Sequence, residues 1–198
     1  HAHNDDTSQD AASAVWEELA SLLGCQPLAL TLAGSLLRHP DSRPEDYAST
    51  LREAGLGSVA EEHRPVEALR YLFRHHAESL PLVAREVWLV LSLHGMCPVR
   101  LETASACLDV AEPQAREALE VLVARGLALA VELPHQPCHP VEWGWRLAHP
   151  RMGEWGRSRL VDSGVDAAAI AGRWRSHWLS WLKERYRYGG LEGNGPWM

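Results

Sequence analysis

The stretch that most constrains the fold is LLGCQPLALTLAGSLLR, residues 22–38. A helix cannot run through its head, because Gly24 favours a stop and Pro27 a start. Proline lacks an N–H that the first turn of a helix would leave unused. From Pro27 to Leu37 the residues are apolar on nearly every side. That pattern predicts a helix buried centrally in a helical domain. Ala29, Ala33 and Gly34 are small enough to let neighbouring helices approach closely. Upstream, Val15, Leu19, Leu22 and Leu23 recur at helical spacing and predict a helix over Ala11–Leu23. The polar, acidic residues 1–10 read as a disordered lead-in.

Downstream, Pro44-Glu45-Asp46 opens a short helix through Tyr47, Leu51 and Ala54, closed by Gly55 and Gly57. Another runs from Pro65 through Leu69, Leu72 and Phe73 to about Ser79. Residues 11–79 therefore form a four-helix subdomain. The order then changes. Helices are expected from Leu82 to Gly95, from Leu101 to Leu108, and from Glu112-Pro113 to Gly126. An apolar strand follows at Leu127–Leu133, a proline-rich loop PHQPCHP, a second strand at Val141–Ala148, and a helix from Pro150 to Leu160. Three helices, a hairpin and a further helix are the parts of a winged helix, placed at residues 80–162. After the break at Asp162-Ser163-Gly164, residues 163–198 hold a long amphipathic helix, Ala167–Tyr188, with Ile170, Trp174, Trp178, Trp181 and Leu182 on one face. The fold class is mainly α.

Composition narrows the function. No apolar run reaches the roughly 20 residues of a membrane span. With 26 acidic and 19 basic residues the net charge is −7, which argues against direct nucleic-acid binding. Cys25, Cys97, Cys107 and Cys138 show no CxxC spacing and read as free thiols in a reducing, cytoplasmic setting. No GxxxxGK[ST] occurs, and Lys183 is the single lysine, so the chain lacks a phosphate cradle and a magnesium site. It should not hydrolyse ATP. A GxSxG is also absent, and Ser35 within the apolar helix has no base near it in sequence, so no catalytic residue is assigned.

The order of these parts resembles the helical and winged-helix segments of the NB-ARC, or STAND, signalling ATPases, which include bacterial regulators, plant resistance proteins and apoptosome ATPases. LLGCQPLALTLAGSLLR is similar to the family's GxP motif, and WRLAHPRMGEW to the motif that places a histidine before the last winged-helix helix. The resemblance covers about Ala11 to Arg159. It implies that Pro27 packs against the adenine of a bound nucleotide, and that His149 contacts the β-phosphate of ADP and locks a resting state. An imidazole N–H can donate to phosphate, more strongly if the ring is protonated. It implies also a nucleotide-binding domain in the same polypeptide, before residue 1, with ADP and ATP as its ligands; this chain alone would hold no cofactor. Activation would expose surfaces for homo-oligomer formation. Cys25 and Gln26 depart from the family's usual glycine and leucine, and Ala148 and Pro150 from the methionine and aspartate of eukaryotic members.

Each sharp reading has a bland rival. Pro27 can be a helix starter only, and His149 a helix cap or solvent histidine. His135, Cys138 and His139 offer three metal-ligand types where structural zinc needs four, so no metal site is assigned. His75-His76 reads as solvent-facing or as a partner of a helix C-terminus. The Trp174, Trp178 and Trp181 stripe can be core or a partner-binding face. The helix PQAREALEVLVAR would be the recognition helix of a DNA-binding winged helix, but carries Glu117 and Glu120 against Arg116 and Arg125. The functional expectation is a regulatory, non-enzymatic switch module that closes over ADP. The alternatives are a winged-helix transcriptional regulator and a protein-interaction scaffold.

Overall fold

The computed structural model describes the backbone of residues 5–38, 42–133 and 142–189. The chain divides into two compact units. The first comprises residues 1–79 with 124–126, and the second the remainder from residue 80 onward.

The first unit is all helical: α1 (Asp5–Leu22), α2 (Pro27–Leu36), α3 (Pro44–Glu53) and α4 (Arg64–Ser79). Helix α1 starts at Asp5, so the backbone of residues 5–10 is helical and not the disordered lead-in expected from their polarity. Its Leu19 and Leu22, with Leu23 just beyond, turn inward, and it packs on α3. The α1–α2 turn explains the glycine. Gly24 has φ +64°, and the Cys25 N–H reaches back to the Ala20 carbonyl at 2.8 Å, which closes the helix with a left-handed cap. A Cβ at Gly24 would also lie 2.8 Å from the Pro65 backbone nitrogen, so a side chain is excluded twice over.

Helix α2 corrects an expectation. It is not surrounded: Ala29, Leu32, Ala33 and Ser35 are buried, while Pro27 and Leu30 are exposed. Nor does Gly34 serve a close approach, since nothing stands within 4 Å of where its Cβ would be. A unit of four short helices has too few layers to enclose one of them. Helix α4 covers α2 with Ala68, Leu69, Leu72, Phe73 and Ala77 at three- and four-residue spacing. His76 continues that stripe and is fully buried, contrary to the solvent-facing position expected of it.

The second unit opens with α5 (Leu82–His94), and this is the surrounded helix. Val87, Trp88, Leu89, Val90 and Leu91 are all buried in succession, so every side of the helix is covered. Around it stand α6 (Leu101–Leu108), α8 (Pro150–Arg159), α9 (Ala167–Gly189) and β2 (Trp143–Leu147). Helix α7 (Glu112–Ala124) turns Ala115, Ala118, Leu119 and Leu122 inward. Strand β1 (Ala128–Glu132) pairs antiparallel with β2, Ala128 opposite Leu147. Val99 adds a third rung: its N–H donates to the Trp145 carbonyl at 2.7 Å, and the Trp145 N–H donates back at 2.8 Å. Helix, one-residue strand, two helices, hairpin and helix make this a winged helix. The loop at residues 134–141, with His135, Cys138 and His139, lies outside the described residues. Helix α9 packs on α5 and α6, and Arg173 Nε donates to the Cys107 carbonyl at 2.6 Å. The chain is mainly helical, and no described helix is long and apolar enough to cross a membrane.

Candidate functional site

Pro27 and His149 fall in different units, and each is positioned by its own local chemistry. Pro27 is the first residue of α2 and is exposed. The residue before it, Gln26, has extended backbone and makes no side-chain cap. The helix therefore begins with a bare apolar ring facing outward. A ring of that kind offers a flat apolar partner a surface with no donor to satisfy.

His149 is half-buried and sits between β2 and α8. It is the N-cap of α8: its Nδ1 accepts from the Arg151 N–H at 3.2 Å, and Pro150 takes the first helical position. That bond fixes the tautomer. Nδ1 must carry the lone pair, so the proton resides on Nε2. Protonating Nδ1 would break the cap. The capped ring thus leaves its Nε2–H as the donor, the kind of imidazole N–H that the sequence reading assigned to a phosphate contact. The two bland rivals of the sequence reading, helix starter and helix cap, are both real structural roles here. Neither role consumes the surface a ligand would use, since a cap occupies Nδ1 and leaves Nε2.

The tryptophan stripe is split between core and surface. Trp174 and Trp178 pack against His94, with ring centroids 5.7 and 5.6 Å away. Trp181 stacks edge-on against Trp178 at 5.3 Å and is 40% exposed. A cavity of about 350 Å³ opens here, lined by His94, Thr103, His177, Trp178 and Trp181. Thr103 Oγ1 and His177 Nε2 stand 3.2 Å apart across it. Sequence reading missed the histidines, because His94 ends one helix and His177 lies between tryptophans on another. Among the described residues no group of three or more histidine, cysteine or acidic side chains is placed to hold a metal. Cys25 and Cys97 are exposed free thiols, and burial pushes the Cys107 thiol up to about 11.

Two histidines are buried as neutral bases. Burial pushes His76 down to about 4, helped by the nearby charges of Arg125 and His75; a weak attraction to the Leu32 carbonyl opposes this, without a hydrogen bond of ordinary geometry. Burial and His177 push His94 down to about 4 in the second unit. Unfolded, both would take up a proton near the usual value of about 6.5. The unfolded chain therefore binds more protons between pH 6.5 and 4, and stability must fall as pH drops through that window. A urea midpoint measured at pH 7 and at pH 5 should be clearly lower at pH 5. His76→Leu should flatten the dependence of the first unit; a midpoint independent of pH over this range would contradict the neutral, buried placement.

No family model matches the chain, and neither a curated protein nor a solved structure does.

Proposed function

We propose that the chain is the regulatory part of a nucleotide-dependent signalling switch of STAND type. In this reading it is not itself an enzyme. It works beside a nucleotide-binding domain of the same polypeptide, closes over ADP in the resting state, and swings away when ATP replaces ADP. Differential contacts in the two states supply the bias. The observation that carries the reading is the His149 cap: one ring nitrogen is tied to α8, which leaves the other as an oriented N–H donor at the end of β2. A helical unit that begins α2 with an exposed Pro27, followed by a winged helix that ends in this histidine, supports the same assignment. Activation would free surfaces for self-association.

The DNA-binding alternative finds little in α7. Its exposed residues include Glu112, Glu117 and Glu120. Arg116 is turned onto the Trp145 ring, 5.9 Å from the centroid. Phosphate and base-edge contacts call for basic and amide side chains at this face.

Pro27 provides a direct test. Alanine is well tolerated at a first helical position, so Pro27→Ala should leave the fold intact. It removes two ring methylenes from an adenine contact, about 0.8 kcal/mol each, or roughly a tenfold loss of affinity in all. In the natural polypeptide that carries the nucleotide-binding domain, ADP should bind about tenfold more weakly to this variant. Equal ADP affinity in the two proteins would remove Pro27 from the nucleotide site.

A further inference from the structure

The first unit holds a cleft of about 610 Å³ that neither Pro27 nor the switch reading uses. It lies at the far end of α2 from Pro27, a ten-residue helix and therefore about 15 Å away. Its size is that of a small-molecule site. Three arginines line it: Arg38 after α2, Arg43 before α3, and Arg125 from residues 124–126 of the same unit. Ser42 and Thr50 also line it, their hydroxyls donating to the Leu36 and Asp46 carbonyls. Asp46 is the one carboxylate among the described lining residues.

Two features set the sign of the site. Arg38 and Arg43 are exposed and form no ion pair among the described residues. Of the other arginines in the unit, Arg52 pairs with Glu18 and Arg70 with Glu67, both at 2.7 Å, while Arg64 and Arg74 lie outside the cleft lining. Helix α3 also enters the cleft wall without a side-chain cap, so its first amides are left for another acceptor. A chain of net charge −7 thus concentrates unmatched positive charge in one concave place. Concave walls focus such a field and raise the local concentration of an oppositely charged ligand. Guanidinium forks match phosphate oxygens in paired hydrogen bonds, which a single carboxylate ligand would not fill threefold.

We infer that this cleft binds a small phosphorylated ligand carrying two or more negative charges, held by Arg38, Arg43 and Arg125. The site is independent of the nucleotide contact assigned to Pro27 and His149. Titration of the 198-residue chain with inorganic pyrophosphate at low salt, followed by calorimetry, tests it. One saturable site is expected, with affinity at least tenfold lower in Arg38→Gln and in Arg43→Gln. Both side chains are exposed, so circular dichroism melts of these variants should overlay the parent melt. Arg70→Gln, on the same unit outside the cleft, should bind as the parent does. An apparent Kd above about 1 mM, or an equal loss in Arg70→Gln, overturns the site.

Discussion

Replacing Trp88 with alanine should cost about 3–5 kcal/mol, the range for removing a large buried aromatic side chain. Trp88 is fully buried at the centre of the surrounded helix α5. Its indole stacks on Trp155 with centroids 5.1 Å apart, and its Nε1–H donates to the Met152 carbonyl at 3.1 Å. One side chain therefore holds α8 to α5 by area, by stacking and by a hydrogen bond. The loss is a large part of the roughly 5–15 kcal/mol that keeps a domain folded. Trp88→Phe keeps a ring against Trp155 but gives up the N–H donor, and should lose markedly less. Urea unfolding followed by far-ultraviolet circular dichroism measures both, since tryptophan emission itself changes with the substitution. A loss below about 1 kcal/mol for Trp88→Ala would mean that α8 does not rest on this indole.

The second large effect is at Gly156, where adding one methyl group should destabilise. An Ala Cβ there would be driven into Ser92 Oγ and would stand 3.2 Å from Trp88 Nε1. Ser92 cannot move freely, because its hydroxyl donates to the Trp88 carbonyl at 2.8 Å. Overpacking of this kind costs about 1–3 kcal/mol. The sign is the informative part. Glycine in a helix interior is ordinarily worse than alanine by roughly 0.5–1 kcal/mol. Gly172 in α9 and Gly34 in α2 have nothing within 4 Å of a built Cβ. Gly172→Ala and Gly34→Ala should therefore raise the unfolding midpoint, while Gly156→Ala lowers it. If all three moved the midpoint upward, α8 would not be packed on α5 as closely as described.

These positions also show what could be read from the residues alone. Helix ends were legible because Gly24, Gly55 and Gly95 adopt positive φ where the apolar spacing stops. The spacing placed α6 at Leu101–Leu108 and α8 from Pro150, and the hairpin fell between the expected strands. Which apolar helix is surrounded was not legible. Both α2 and α5 are apolar on most sides, and only the number of neighbours distinguishes them. His76 was misplaced because a histidine on a helix face looks polar; its burial follows from its register with Leu69, Leu72 and Phe73, which a strict reading of spacing would have extended to it. Val99 escaped notice because one residue carries no alternation.

Of the candidate site, Pro27 was legible as a helix start and His149 as a possible helix cap, but not in which ring nitrogen makes the cap. A histidine is an uncommon N-cap, where serine, threonine, aspartate and asparagine lead. Nothing in the spacing said that Nδ1 would be occupied and Nε2 left as the donor. The Arg38, Arg43 and Arg125 cleft was invisible, because Arg125 is 82 positions from Arg43 in the chain and only folding gathers them.

The switch reading turns on His149, and its capping role allows a variant that separates structure from ligand. Aspartate is a stronger N-cap than histidine and suits the positive end of α8, so His149→Asp should keep or raise stability. It removes the Nε2–H donor and sets a negative charge against the proposed phosphate. The decisive measurement is the dissociation rate of fluorescent ADP from the natural polypeptide with the nucleotide-binding domain that the switch reading proposes for it, parent against His149→Asp. The account predicts at least about tenfold faster release from the variant, corresponding to the loss of one charge-assisted hydrogen bond, with a thermal midpoint of the apo-protein that is unchanged or higher. Equal release rates in two equally stable proteins would contradict it and leave His149 as a helix cap alone.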